Sequence, residues 1–234
     1  MADKKPKATR AQPDEADDDI EKLIDSALQA DPIEIVEFVE EATGPPLSDD
    51  EITQARRDLA EWQTPTVFRN VVYPLCQRCG SSDYFNRPKL KFLHDAFVLA
   101  EFVGRRPVDQ VRLAGPTDQW PDGYIRLDDK DHNVEVTSAH GGRKLGAEYK
   151  GVTKPELVRD HSANSGQISS ELDTAIQAKV AKHYASSCWL VVYLNIVDFF
   201  GNQQVEIERE IAAIKRKHAA SFDAIYVLWK DKVL

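Results

Sequence analysis

The feature that most constrains this chain is the stretch from Cys188 to Ile196, which is almost entirely apolar. A run of that length with no polar alternation reads as a strand buried on both faces. Apolar residues recur at helical spacing on either side of it. Ile168, Leu172, Ile176 and Val180 mark a helix over about 168–184, and a second amphipathic stretch covers Val205 to Lys217. A further apolar strand is predicted from Phe222 to Trp229. A doubly buried strand between helices needs a helical layer on each side, so the fold class is α/β with a mixed sheet.

Upstream, Asn86-Arg87-Pro88 leads into a helix to about Val103, with Leu90, Leu93, Phe97 and Ala100 as its stripe and Gly104 as the expected C′ residue. Short strands are predicted at Gln110–Leu113, Gly123–Leu127 and Asn133–Ser138. The turn Asp128-Asp129-Lys130-Asp131 makes the last two a hairpin. Residues 63–85 give no clear pattern.

The first third of the chain differs in character. Between Pro13 and Trp62 there are 17 acidic and 3 basic residues, whereas the formal net charge of the whole chain is -9. Residues 63–234 are close to neutral, which leaves room for a local patch that binds a polyanion. Residues 1–17 are expected to be a disordered tail. Residues 18–62 are expected to be an acidic helical region, with helices opening near Asp18, at Asp31-Pro32, and at the capping box Ser48-Asp49-Asp50-Glu51. That region is a candidate docking surface for a protein partner. The third unit is the α/β domain, 63–234.

No run is long enough to span a bilayer, and the polar N-terminus lacks the apolar core of a signal peptide, so a cytoplasmic protein with no membrane association is expected. Cys76 and Cys79 form one CxxC. His94 is a conceivable third zinc ligand, but without a second pair the motif reads as a reduced loop. Cys188 reads as a small buried hydrophobe.

The chemistry is expected at Pro121-Asp122, followed after twelve residues by Glu135-Val136-Thr137. Strand parity places Asn133, Glu135 and Thr137 on one face, with Val134 and Val136 turned to the core. Asp122 begins the partner strand and falls beside Glu135. Two adjacent carboxylates repel unless a cation or a proton lies between them, and Mg²⁺ is the usual cation. Each residue also has an ordinary reading. Trp-Pro-Asp-Gly is a turn signature, and Glu135 could be a solvent-facing strand residue.

These residues, with the order helix, hairpin, helix, strand, helix, strand, resemble the PD-(D/E)xK nuclease superfamily and its restriction-endonuclease-like fold. The resemblance covers roughly 86–234. It implies a metal-dependent nuclease, endo- or exonucleolytic, that hydrolyses phosphodiester bonds in DNA, with Mg²⁺ or Mn²⁺ held by Asp122 and Glu135. In that superfamily a lysine follows the second acid by two residues, and here that position is Thr137. Some members carry the lysine on a neighbouring element, and Lys179 is the candidate, ahead of Lys144. Many members add a glutamate from the first helix to the metal site, a role that would fall to Glu101. The alternative is a catalytically inactive nuclease-like fold that binds nucleic acid or protein. Arg143, Lys144, Lys150, Lys154 and Arg159 form a basic cluster suited to phosphate contact.

Overall fold

The computed structural model describes residues 44–79, 87–140, 165–182, 187–195 and 203–234. The expected tail and first two acidic helices, and the basic cluster from Arg143 to Arg159 with Lys144, lie outside the described residues.

Helix α1 spans Asp49–Asp58 and opens with the expected capping box. The Glu51 N–H donates to Ser48 Oγ at 3.3 Å, and the Ser48 N–H donates to Glu51 Oε2 at 2.9 Å. Helix α2, Pro65–Gln77, occupies the stretch that gave no clear pattern. Its start is chemically explicit, with Thr64 as N-cap and Pro65 in the first turn. Pro74 inside the helix disguises it, because an interior proline normally argues against one. A 3₁₀ turn at Pro88–Leu90 leads into α3, Lys91–Arg105. Gly104 is thus inside α3 rather than beyond its end. A Cβ there would come within 2.9 Å of the Arg69 guanidinium, the flexible end of a side chain on α2.

The strands are β1 Gln110–Leu113, β2 Gly123–Leu127 and β3 Lys130–Ala139. Helix α4, Ser165–Val180, leads to β4, Trp189–Leu194. Helix α5, Gln204–His218, leads to β5, Ala224–Trp229, and a short β6 at Lys232–Val233. They form one six-stranded mixed sheet in sequence order. β1, β2 and β3 are antiparallel, β3, β4 and β5 are parallel, and β6 returns antiparallel. The β2–β3 connection is a tight two-residue turn. Asp128 and Asp129 both take positive φ, 51° and 60°, the conformation that suits the twist of a hairpin.

The sheet separates two apolar cores. Val134, Val136 and Val191 face the side packed by α1, α2 and α3, with Phe68, Leu93, Leu99 and Phe102 among the buried residues. Leu190, Val192 and Val227 face α4 and α5, against Ile168, Leu172, Ile176, Ile207 and Ile211. β4 is therefore buried on both faces, as its composition requires. Among the described residues, no helix is long and apolar enough to cross a membrane.

Candidate active site

Asp122 is held by its own backbone. Its N–H donates to Val134 O at 3.1 Å, and its carbonyl accepts the Ala114 N–H at 3.1 Å. The residue thus extends β2 by one position, between β1 and β3. Its carboxylate oxygen Oδ2 accepts the Val136 N–H at 2.8 Å. Gly123 makes this placement feasible. A Cβ there would lie 2.6 Å from Leu99 Cδ1 and 2.9 Å from Arg112 O, so only glycine lets β2 pass this close under α3. The Pro-Asp-Gly signature is therefore more than a turn: the glycine admits α3, and the aspartate faces inward.

Glu135 is on the face of β3 that looks toward α4, with only 3% of its surface exposed. It is not solvent-facing, and the cost of burying a carboxylate is offset by a cation. Lys179, near the C-terminal end of α4, places Nζ 2.5 Å from Glu135 Oε1. The same ammonium lies 3.9 Å from Asp122 Oδ2. One buried cation therefore reaches both acids. Lys182, in the turn after α4, comes to 3.6 Å from the same Glu135 oxygen, with 56% of its side chain exposed.

These groups line a cleft of about 610 Å³. Thr137 and Ser138 continue its floor along β3, and α3 supplies the opposite wall through Lys91, His94 and Asp95. His94 Nε2 is 2.8 Å from Ser138 Oγ, which ties that wall to β3. His94 Nδ1 is 3.4 Å from Asp95 Oδ1. Burial, then the charges of Asp95 and Glu135, push the Asp122 carboxyl up to about 6. Lys179 and the Val136 N–H act against that shift.

Glu101 is not among the cleft-lining residues. One carboxylate oxygen accepts the Tyr73 hydroxyl at 2.7 Å and the other pairs with Arg105. It ties α2 to α3, and its partners account for its position on the helix. The α3 acid beside Asp122 is Asp95. It is legible in hindsight: Lys91, His94 and Asp95 occupy one edge of a helix whose other positions are largely buried and apolar. Of the remaining expected residues, Asp122, Glu135, Thr137 and Lys179 all line the cleft. Cys76 and Cys79 pack against the first core. Cys188 is buried, and burial pushes its thiol up to about 12.

Asp122 and Glu135 offer hard oxygen donors to a cation, and Asp95 adds negative charge nearby. Among the described residues, no group of three or more His, Cys, Asp or Glu is placed to hold a metal ion. No family model, curated protein or solved structure matches the chain.

Proposed function

We propose that the cleft is the active site of a Mg²⁺- or Mn²⁺-dependent nuclease of the PD-(D/E)xK type, acting on DNA. The observation that carries this reading is the single Lys179 ammonium lying against both Asp122 and Glu135. It brings a lysine from a neighbouring helix to the pair of acids that in the resembled superfamily is served by the lysine two residues after the second acid, where this chain has Thr137. The order of elements supports the same reading: α3, the β1–β2–β3 meander, α4, then β4 parallel to β3.

The donor set fits the metal. Mg²⁺ commonly binds through one or two carboxylates and keeps waters and phosphate oxygens as its other ligands. Asp122 and Glu135 would hold it. An acid pushed up to about 6 by burial and like charge is one that a divalent cation relieves. When bound, the metal supplies an activated water and stabilises charge on the phosphate. The chain's own groups do the rest. The Val136 N–H fixes the Asp122 carboxylate. Lys179 offers donors to a water or a phosphate oxygen over the pair, and Thr137 offers a hydroxyl on the same floor.

The test is cleavage of single- and double-stranded DNA by the full chain with Mg²⁺ or Mn²⁺. Asp122→Ala, Glu135→Ala and Lys179→Ala should each lower turnover by at least about a hundredfold. Absence of cleavage with either ion sinks the reading.

One observation favours a second reading, a nuclease-like fold that binds nucleic acid or protein without cutting. Glu135 already has a close ammonium partner in Lys179, so the pair is internally compensated. Under this reading, Asp122→Asn and Glu135→Gln leave ligand affinity unchanged and metal has no effect on it.

A further inference from the structure

The nuclease reading accounts for Asp122, Glu135 and Lys179 but leaves two exposed lysines at the cleft without a task. Lys182 follows Lys179 by three residues and lines the α4 wall. Its 3.6 Å approach to Glu135 is longer than a hydrogen bond, and Lys179 already holds the same oxygen at 2.5 Å. Lys91 opens α3 and lines the opposite wall. Both side chains are solvent-exposed, and both line the cleft that holds Asp122 and Glu135.

We propose that Lys91 and Lys182 bind the backbone phosphates on either side of the phosphate that sits over Asp122 and Glu135, so that the ligand is a polynucleotide strand and not a mononucleotide. This rests on the nuclease reading of the same cleft and adds to it the length of substrate recognised. The argument is one of charge and reach. A floor of carboxylates repels a phosphodiester, and cations must offset that repulsion for a strand to enter. Lys179 is 14% exposed and hydrogen-bonded to Glu135, so it serves the phosphate over the acids and cannot also reach the neighbouring ones. Long, exposed lysines on opposite walls can, because an ammonium on a flexible stem meets a phosphate without a fixed geometry. Lysine–phosphate contacts carry no base information, so this device favours chain length over sequence.

The experiment measures binding of fluorescein-labelled oligothymidylates of two, four and eight nucleotides to the full chain by anisotropy. It is done in EDTA and again with Mg²⁺, over salt from about 50 to 200 mM. Steady-state cleavage of the eight-nucleotide strand is followed in parallel. For the native chain, affinity is expected to rise about tenfold between two and four nucleotides and then level off. Lys91→Gln and Lys182→Gln should each lower the salt slope by about 0.7, the value of one contact to a single strand. The double variant should bind all three lengths alike. In cleavage, the loss should fall on KM rather than kcat, and Lys182→Arg should restore most of it. Circular dichroism of the variants checks that these exposed positions leave the fold intact.

The inference is overturned if the variants show the native salt slope and length dependence, even where the native chain cleaves; the nuclease reading then stands without it. If the native chain binds with the expected slopes but cleaves nothing with Mg²⁺ or Mn²⁺, the phosphate contacts stand and the nuclease reading falls. If the native chain binds no oligonucleotide, both fall.

Discussion

Lys179 and Glu135 meet at 2.5 Å although 44 residues separate them, and this contact joins α4 to the centre of the sheet. It is a buried pair, with the lysine 14% and the glutamate 4% exposed at the side chain. Such pairs add little net stability but are costly to break from one side, because the remaining charge is stranded. Lys179→Ala should therefore destabilise the chain by about 3 kcal/mol, at the lower end of that range because Lys182 can move toward Glu135. The double variant Lys179→Met with Glu135→Leu should recover most of the loss. Urea unfolding of the three chains gives both quantities. A single variant as stable as the native chain would show that the pair is not buried in solution.

The Asp122 carboxyl makes stability depend on pH in a defined direction. Its folded value is raised to about 6 from 3.8, so the folded chain holds the proton more tightly than the unfolded one. The stability that follows is fully present below about pH 4 and is lost as pH rises through 6. At neutral pH the ionised carboxylate is thus a liability. Asp122→Asn should be more stable than the native chain at pH 7.5 by on the order of 2 kcal/mol, and the gap should shrink as pH falls toward 4. Thermal unfolding at several pH values reads this. Divalent metal should narrow the gap at neutral pH by stabilising the native chain, while a gap that widens on acidification contradicts the assignment.

Gly123 supports a prediction about packing. Alanine would place its Cβ 2.6 Å from Leu99 Cδ1 and 2.9 Å from the Arg112 carbonyl oxygen. The leucine can turn aside, but the backbone oxygen cannot do so without moving β1. Gly123→Ala should cost about 2 kcal/mol through strain. It should also reduce turnover, because the shift displaces the neighbouring Asp122. Adding Leu99→Ala should not rescue it, since the backbone contact remains. The melting temperature and the cleavage rate test the two parts separately.

What could be read from the sequence follows from how local each signal is. The run at Cys188–Ile196 is apolar because β4 lies between two cores, and a doubly buried strand advertises itself by composition alone. The hairpin was legible because Asp128-Asp129 favours positive φ and the flanking residues alternate. Strand parity placed Glu135 and Thr137 on one face, but parity is silent on what covers that face. Burial of Glu135 depends on α4 arriving some 40 residues later in the chain, which no local pattern around Glu135 encodes. Helix α2 gave no clear pattern because Pro74 lies inside it, and an interior proline argues against a helix. The sequence pointed to Glu101 and gave no signal for Asp95, for a related reason. Both lie on α3, but only tertiary packing decides which part of it meets the cleft and which part meets Tyr73 of α2.

That last distinction can be measured. Asp95 lines the cleft, and its charge is one of those that raise the Asp122 carboxyl. Glu101 is occupied by Tyr73 and Arg105. Asp95→Asn should remove part of the repulsion and bring Asp122 back toward the ordinary carboxylate range. In a nuclease this appears as a shift of the acidic limb of the pH–rate profile to lower pH, together with a higher metal requirement, since one attracting charge is gone. Glu101→Gln keeps a hydrogen-bond acceptor for the tyrosine and loses only the charge partner of Arg105. It should cost about 1 kcal/mol or less in stability and leave both the acidic limb and the metal dependence where they are. The two profiles, recorded side by side at equal metal concentration, decide which α3 carboxylate belongs to the site. A shifted limb in the Glu101 variant with none in the Asp95 variant would return the role to Glu101.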